Sequence, residues 1–454
     1  MCAAALALTS ANASANGRFP TAQHVVVGPG SMSSVIALRT TFGLLLSRDS
    51  GRTFVWLCEE GMYFPLVPSL NFDPPIEINA AGSVVFGFES GIRHSEDACK
   101  ADDARFTAGR VFADLTATPS GEVIYAIEGA QGAPNAVYRG DGTSFTRLGE
   151  GVANVLFDTI EVAPSNPSRL YLTGRDTETF APVFYRSDDG GMTLTAVTAD
   201  AGTADSLWVS GVDPTAPDTV YVRAAMGLGT ELRRSVDGGR SFRTITSTRD
   251  PMLGFAISDD GRTLWVGSID AGLVRSDDGG ESFHRVNTLP VFCLRQHANT
   301  LWACSDWINT PFALGRSSDR GASFEAVLTF SNFTRFVGPP TCEARSEGAD
   351  ICIERWPALQ RTLEAPAPTV TDAGRRDASV DAALDAPRDV IFDVSLDARS
   401  DATHDASAQP PPGDGACNCR ATSASGRGAS GMFALALIAA LRSRRRNRVA
   451  VATA

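Results

Sequence analysis

One pattern constrains this chain more than any other: Ser-x-Asp-x-Gly-x-(Thr/Ser)-(Phe/Leu) occurs five times. The copies are Ser47-Asp49-Gly51-Thr53-Phe54, Ser187-Asp189-Gly191-Thr193-Leu194, Ser235-Asp237-Gly239-Ser241-Phe242, Ser276-Asp278-Gly280-Ser282-Phe283 and Ser317-Asp319-Gly321-Ser323-Phe324. Two worn copies fill the gap: Ser95-Glu96-Asp97 with a later Phe106, and Gly140-Asp141-Gly142-Thr143-Ser144-Phe145. Starts near 47, 95, 139, 187, 235, 276 and 317 give a period of about 41 to 48 residues, the size of one four-stranded blade.

The residue types explain the pattern. An Asp carboxylate and a Ser hydroxyl bond nearby backbone groups and hold a tight turn. The Gly permits a positive φ that a β-carbon would penalise. The aromatic then opens the next strand and buries in the blade core, contributing about 1.5–3 kcal/mol. Strands fall into place around each copy. In the sixth unit, 254–258, 263–267, Gly272–Ser276 and 282–286 read as strands one to four; the fourth unit repeats this with 160–163, 169–173, 183–187 and 193–197. The motif therefore joins strands three and four at the rim, and the expected role of Asp49, Asp189, Asp237, Asp278 and Asp319 is structural. The expected fold is all-β, a β-propeller of seven blades within 18–363. Residues 330–363, with Cys342 and Cys352, read either as a degenerate eighth blade or as a disulfide hairpin that closes the ring.

The repeat resembles the Asp-box, or BNR, repeat of sialidases, sortilin-like receptors, xyloglucanases and photosystem assembly propellers, over roughly 22–330. The resemblance implies a fold and leaves function open. Sialidases of this class carry an Arg-Ile-Pro element, an arginine triad and a Tyr–Glu nucleophile pair with an Asp acid. Here Arg18-Phe19-Pro20 departs at its middle residue, and no later arginine sits in a context that marks a triad member. Of six tyrosines, Tyr125, Tyr171 and Tyr221 fall in second strands as ordinary β residues. No catalytic residue is assigned, and the motif failure favours a non-enzymatic protein.

A net charge of −12 and a pI near 5.0 argue against a nucleic-acid partner. The nine cysteines fall into neighbouring sets: Cys58 with Cys99, Cys293 with Cys304, Cys342 with Cys352, Cys417 with Cys419, and Cys2 alone. The first six suit three disulfides in an oxidising compartment, with connectivity open; the rival reading is buried free thiols. No CxxC pair with zinc spacing appears, so neither metal nor cofactor is expected.

Both ends suggest export. Residues 1–17 hold a short apolar run followed by Ala-Asn-Ala (11–13) and Ala-Ser-Ala (13–15), the small-residue pattern of a signal peptide whose basic start would lie upstream. From 364 to 416 the composition changes, and aspartate recurs every fourth position from Asp377 to Asp405. Such a tract has too little apolar content for a core and reads as a disordered, solvated stalk rather than a calcium site, which needs six to eight converging oxygens. The segment 417–454 opens on Cys417 and Cys419 and continues into the apolar run 431–441 and the cluster Arg442, Arg444, Arg445, Arg446 and Arg448. As a helix the run spans about 16 Å, half a bilayer, with arginines placed as the positive-inside rule requires. Cysteine, short helix and arginine cluster resemble the myxobacterial C-terminal sorting signal, MYXO-CTERM. That resemblance implies cleavage near Cys417 or Cys419 by a membrane protease and passage to the cell surface; the rival is a simple C-terminal anchor.

Aligned repeats put one set of two–three loops on a common face. They contribute Glu89, Glu128, Arg175-Asp176 with Glu178, Asp270, and Asp306-Trp307. That would make an acidic mouth with one exposed aromatic, suited to a sugar, a cation or a basic peptide. Trp307 has a rival role, packing over a Cys293–Cys304 disulfide. The expected function is a monomeric, non-enzymatic, surface-displayed recognition or adhesion propeller that binds a glycan or an envelope protein. The alternatives are a secreted glycoside hydrolase with an unrecognised carboxylate pair, and an assembly factor for membrane proteins.

Overall fold

A computed structural model describes residues 19–63, 73–197, 204–342 and 346–364. Runs of four to seven β-branched and aromatic residues, cut by Gly, Asp and Pro, are too short for stable helices and pair as hairpins. They form seven antiparallel sheets, spanning 22–57, 76–103, 112–147, 155–196, 206–248, 252–287 and 293–328, here called blades 1 to 7. Within each blade the four strands lie in chain order, so each is a meander made from one continuous stretch. The innermost strands pack against those of neighbouring blades, and Ala22–Val27 of blade 1 meets Cys293–His297 of blade 7. The molecule is a seven-bladed β-propeller.

Stacking blades face to face buries both faces of their middle strands, which therefore read as continuous apolar runs. Val84–Phe88, Ile124–Glu128 and Leu264–Ser268 are buried at every position. Outer strands such as Arg243–Thr248 and His284–Asn287 are half-buried or exposed. The sixth blade follows the expected boundaries to within two residues. In the fourth, the second strand runs longer than expected, Asn166–Asp176, because polar Arg175 and Asp176 continue the ladder against Pro182 and Val155.

The described residues of 330–363 form neither an eighth blade nor a disulfide hairpin, and the seven-blade reading holds. After blade 7 the chain passes through short turns (Phe330–Asn332, Phe333–Phe336). It then lays Val337–Gly338 parallel onto Phe54–Leu57, the outermost strand of blade 1. It ends in the helix Glu347–Glu364. Ala349, Cys352, Trp356, Leu359 and Leu363 recur at helical spacing, which strand periodicity does not fit. Six cysteines form three disulfides, but neighbour grouping holds only for Cys293–Cys304. The others cross the fold as Cys58–Cys352 and Cys99–Cys342. The physical reason is ring closure, which returns the end of blade 7 to the rims of blades 1 and 2.

The segments expected to be a signal peptide, a stalk and a sorting tail, with Cys2, Cys417 and Cys419, lie outside the described residues. Among the described residues no helix is long and apolar enough to cross a membrane.

Candidate functional site

Strand direction sorts the loops into two faces. One carries the one–two and three–four turns; the opposite, upper face carries the two–three hairpins and the connections between blades. The five complete Ser-x-Asp motifs all occupy three–four turns and make the same bonds. The Ser hydroxyl donates to Asp Oδ1 and accepts the Gly N–H, as at Ser276–Asp278 (2.6 Å) and Gly280 (2.8 Å). The Asp then accepts the backbone N–H and hydroxyl of the following Thr or Ser, 2.9 and 2.6 Å from Ser282. These donated bonds hold Asp237 and Asp319 down at about 2, and Asp49, Asp189 and Asp278 are lowered likewise. With both oxygens committed to their own turns, these carboxylates act as scaffold.

Of the eight residues expected on the binding face, Glu89, Asp176, Glu178, Asp270, Asp306 and Trp307 lie at upper-face hairpins, from blades 2, 4, 6 and 7. Among the described residues no hydrogen bond or ion pair joins any two across blades. Asp176 accepts the N–H groups of Glu178 and Thr179 (3.0 and 2.8 Å) and the Thr179 hydroxyl, which lowers its pKa. Asp306 likewise caps its own loop through Ile308 N–H (3.1 Å) and the Asn309 amide. Glu178 and Asp270 are exposed, and Glu89 is half-buried at its turn. Trp307 is not the exposed aromatic expected: it is half-buried, donates Nε1–H to the Pro20 carbonyl at 2.7 Å, and stacks on Phe19 at 5.9 Å. The approach of the N-terminal segment, invisible in local sequence, covers it. Glu128 is no mouth residue either. It is buried at the end of its strand, where it accepts from Ala136 N–H and Tyr138 Oη and pairs with Arg110 and Arg147.

Two exposed apolar tips were missed. Phe180 (68 % exposed) and Leu228 (88 % exposed) stand on the two–three hairpins of adjacent blades 4 and 5. Both tips are preorganised. Phe180 sits at φ +58 in the turn that Asp176 caps, and the Asp205 carboxylate holds Gly227 N–H at 2.8 Å. A bulky residue in the left-handed region costs about 1–2 kcal/mol, so Phe180 is displayed at the expense of backbone strain.

The central channel was also missed. Glu77, Asp114 and Glu161 project from the innermost strands of blades 2, 3 and 4, and blades 7 and 1 supply Arg295, Arg39 and His24. These groups stitch blades together. Asp114 accepts Ile160 N–H of blade 4 at 3.0 Å and Leu115 N–H at 2.9 Å. Thr116 accepts Val162 N–H (3.4 Å) and donates to Glu161 Oε2 (3.1 Å). Thr159 accepts Val209 N–H of blade 5 at 3.1 Å. Burial first, and then mutual repulsion, raises Glu161 to about 8; burial raises Asp114 to about 7 despite its two backbone donors, and Glu77 shifts the same way. Burial together with Arg39 and Arg295 lowers His24 to about 3. A charged residue inside an apolar first strand (Ile76–Ile78, Phe112–Ala117, Val155–Ala163) was the available signal.

Among the described residues, no group of three or more His, Cys, Asp or Glu is arranged to hold a metal ion. A shallow groove of about 320 Å³ between 148–152 and 191–194 has Glu150 as its one charged side chain.

Fold and site together define a disulfide-bridged, seven-bladed propeller with a stitched polar channel. No protein-family model and no curated protein matches the sequence. Among solved structures it is similar to a GH74 enzyme of Niastella koreensis, at 16% identity and a TM-score of 0.35, covering 66% of this chain and 62% of that one. It is also similar to the GH74 xyloglucanase of Xanthomonas campestris (15%, TM-score 0.33, 72% and 66%) and to Saccharomyces cerevisiae Sqt1 (11%, TM-score 0.46, 69% and 86%). The chain spans less than two thirds of the length of either GH74 protein.

Proposed function

We propose that this chain is a non-enzymatic recognition module, a propeller of the Asp-box kind displayed at the surface of a cell envelope, whose upper face binds a glycan or an envelope protein. The observation that carries this reading is the pair of preorganised apolar tips, Phe180 and Leu228, flanked by the exposed carboxylate of Glu178. Apolar side chains already held outward by capped turns can be covered by a partner with little ordering cost, and neighbouring acids favour a ligand rich in hydroxyl or cationic groups. In this reading Glu89, Asp270 and Asp306 complete the acidic rim, Trp307 supports it from beneath, and a tail resembling MYXO-CTERM delivers the protein to the surface.

The test is a glycan-array screen of the purified full chain, with mass spectrometry of any bound glycan. Binding that leaves the glycan intact and is lost in Phe180→Ser/Leu228→Ser supports the reading. Cleavage would overturn it and direct mutagenesis to Asp114 and Glu161, whose raised pKa values are the chemistry a glycosidase acid requires.

A further inference from the structure

Each blade takes its four meander strands from one continuous stretch, so among the described residues the strand link from the end of blade 7 to blade 1 is the two-residue Val337–Gly338. The three seams that precede the blade 7–blade 1 seam, between blades 4 and 5, 5 and 6, and 6 and 7, carry a repeated lock. Arg186 donates to the Gly238 carbonyl, Arg234 to Gly279 and Arg275 to Arg320, each reaching from one blade into the motif turn of the next. At the last seam the equivalent arginine, Arg316, turns instead to Glu325 of its own blade.

Besides the contact of Ala22–Val27 with Cys293–His297 and the hold of Trp307 on Phe19 and Pro20, that seam is crossed by the described residues 330–342 and 346–364. Phe330 and Phe333 are fully buried and meet Phe42 of blade 1 at 5.2 and 5.8 Å, while Phe330 meets Trp307 of blade 7 at 5.6 Å. Trp356 of the helix packs on Phe333 and on Trp56 of blade 1. Val337–Gly338 extends the blade 1 sheet, Cys342 bonds Cys99 beyond the third strand of blade 2, and Cys352 bonds Cys58 at the end of blade 1.

We propose that residues 330–364 are a covalent buckle. It closes the ring across the blade 7–blade 1 seam, and it makes blades 1 and 2, rather than blade 7, the place where tension on the C-terminal side enters the propeller. A pull on Glu364 meets the Cys352–Cys58 bond first, so the 294-residue separation between those cysteines lies outside the load path. Without that bond the pull passes to Cys342–Cys99, and with both bonds absent it would peel the segment off and then unzip blade 7 strand by strand, the easiest way to open a sheet. The load-path half rests on the tethered reading above; the seam-closing half does not.

The experiment is hydrogen exchange on the full chain, comparing native protein with Cys58→Ser/Cys352→Ser and, as a control, Cys293→Ser/Cys304→Ser, whose bridge spans only 11 residues. Expected is a loss of protection of about tenfold or more in Ala22–Val27, Phe54–Leu57 and Glu325–Leu328 for the first variant alone, with blades 4 and 5 unchanged. If the variant does not fold, brief reduction of the folded control variant, which keeps only the two long bridges, reads the loss of those two bridges together. Uniform loss, no loss, or an equal effect of the control would overturn seam closure. Stretching single molecules between their termini tests the load path: oxidised protein should keep about 1,000 Å of chain hidden that reduced protein releases. Release of that length while oxidised would overturn it. Loss of the protein from cells with an intact tail would sink the tethered reading and leave the exchange result standing.

Discussion

At the scale of single residues, the repeated aspartates and the channel carboxylates show how environment divides one functional group into two roles. Asp278 accepts from the hydroxyls of Ser276 and Ser282 and from two backbone N–H groups, so Asp278→Ala should lower Tm by a few degrees in a thermal melt and leave ligand affinity unchanged. An unaltered melt would contradict the scaffold role. The two sets also oppose each other in pH dependence. Asp237 and Asp319 titrate near 2 in the fold, below the ordinary 3.8, so their stabilisation is full above about pH 4 and disappears as pH falls toward 2. Asp114 and Glu161 titrate near 7 and 8, above their ordinary values, so their contribution is full below about pH 4 and is lost as pH rises through 7 and 8. His24, lowered to about 3, is neutral in the fold, and its share fades as pH falls below about 6.5. Calorimetry should therefore find a smaller fall in Tm from about pH 6 to 9 in Glu161→Gln than in the parent. Equal slopes would mean that the carboxylate is solvated. The scaffold aspartates were legible because their bonds are local. Glu77, Asp114 and Glu161 were not, because they come from three different blades and meet only in the ring.

At the scale of elements, the blades are joined by devices that a repeat alignment alone does not reveal. Tyr125 and Tyr171 occupy the same register of successive second strands and donate to the carbonyls of Pro167 (3.0 Å) and Pro217 (2.7 Å) in the next blade; Trp265 does the same to Arg320 (2.9 Å). Reading these tyrosines as ordinary strand residues placed them correctly but missed what their polar ends do. Motif glycines likewise face the preceding blade. Gly239 lies at φ +89, and a β-carbon there would stand 2.2 Å from Phe184 Cε1, a ring buried in blade 4. Gly239→Ala should cost more than about 2 kcal/mol in chemical denaturation, since backbone strain and overpacking add. Gly227→Ala is the fitting control, because φ is +64 there but nothing lies within 4 Å, leaving about 1 kcal/mol of strain alone. Comparable losses at both sites would mean that the seam yields easily.

At the scale of the whole molecule, the ring must be closed and, on the proposed reading, held to an envelope. In the chain-entropy account, bridges separated by 294 and 243 residues each restrict the unfolded chain by about 5 kcal/mol, and they are coupled because their loops overlap. Deleting 431–448 should move the protein from the membrane fraction to the periplasm or medium, as read by immunoblot of fractionated cells. Retention in the membrane would identify a different anchor. By itself the sequence determined the all-β class, the period, the seven repeat units and the place of each Ser-x-Asp turn, because these follow from hydrogen bonds and apolar patterning within one repeat; that 330–363 adds no eighth blade was decided by the tertiary structure. Only the tertiary structure decided which cysteines pair, that 330–364 buckles the ring, that Trp307 is covered by Phe19 and Pro20, and that three carboxylates share one channel. Those outcomes depend on residues up to nearly three hundred positions apart, and they are set when the seventh blade comes to rest against the first.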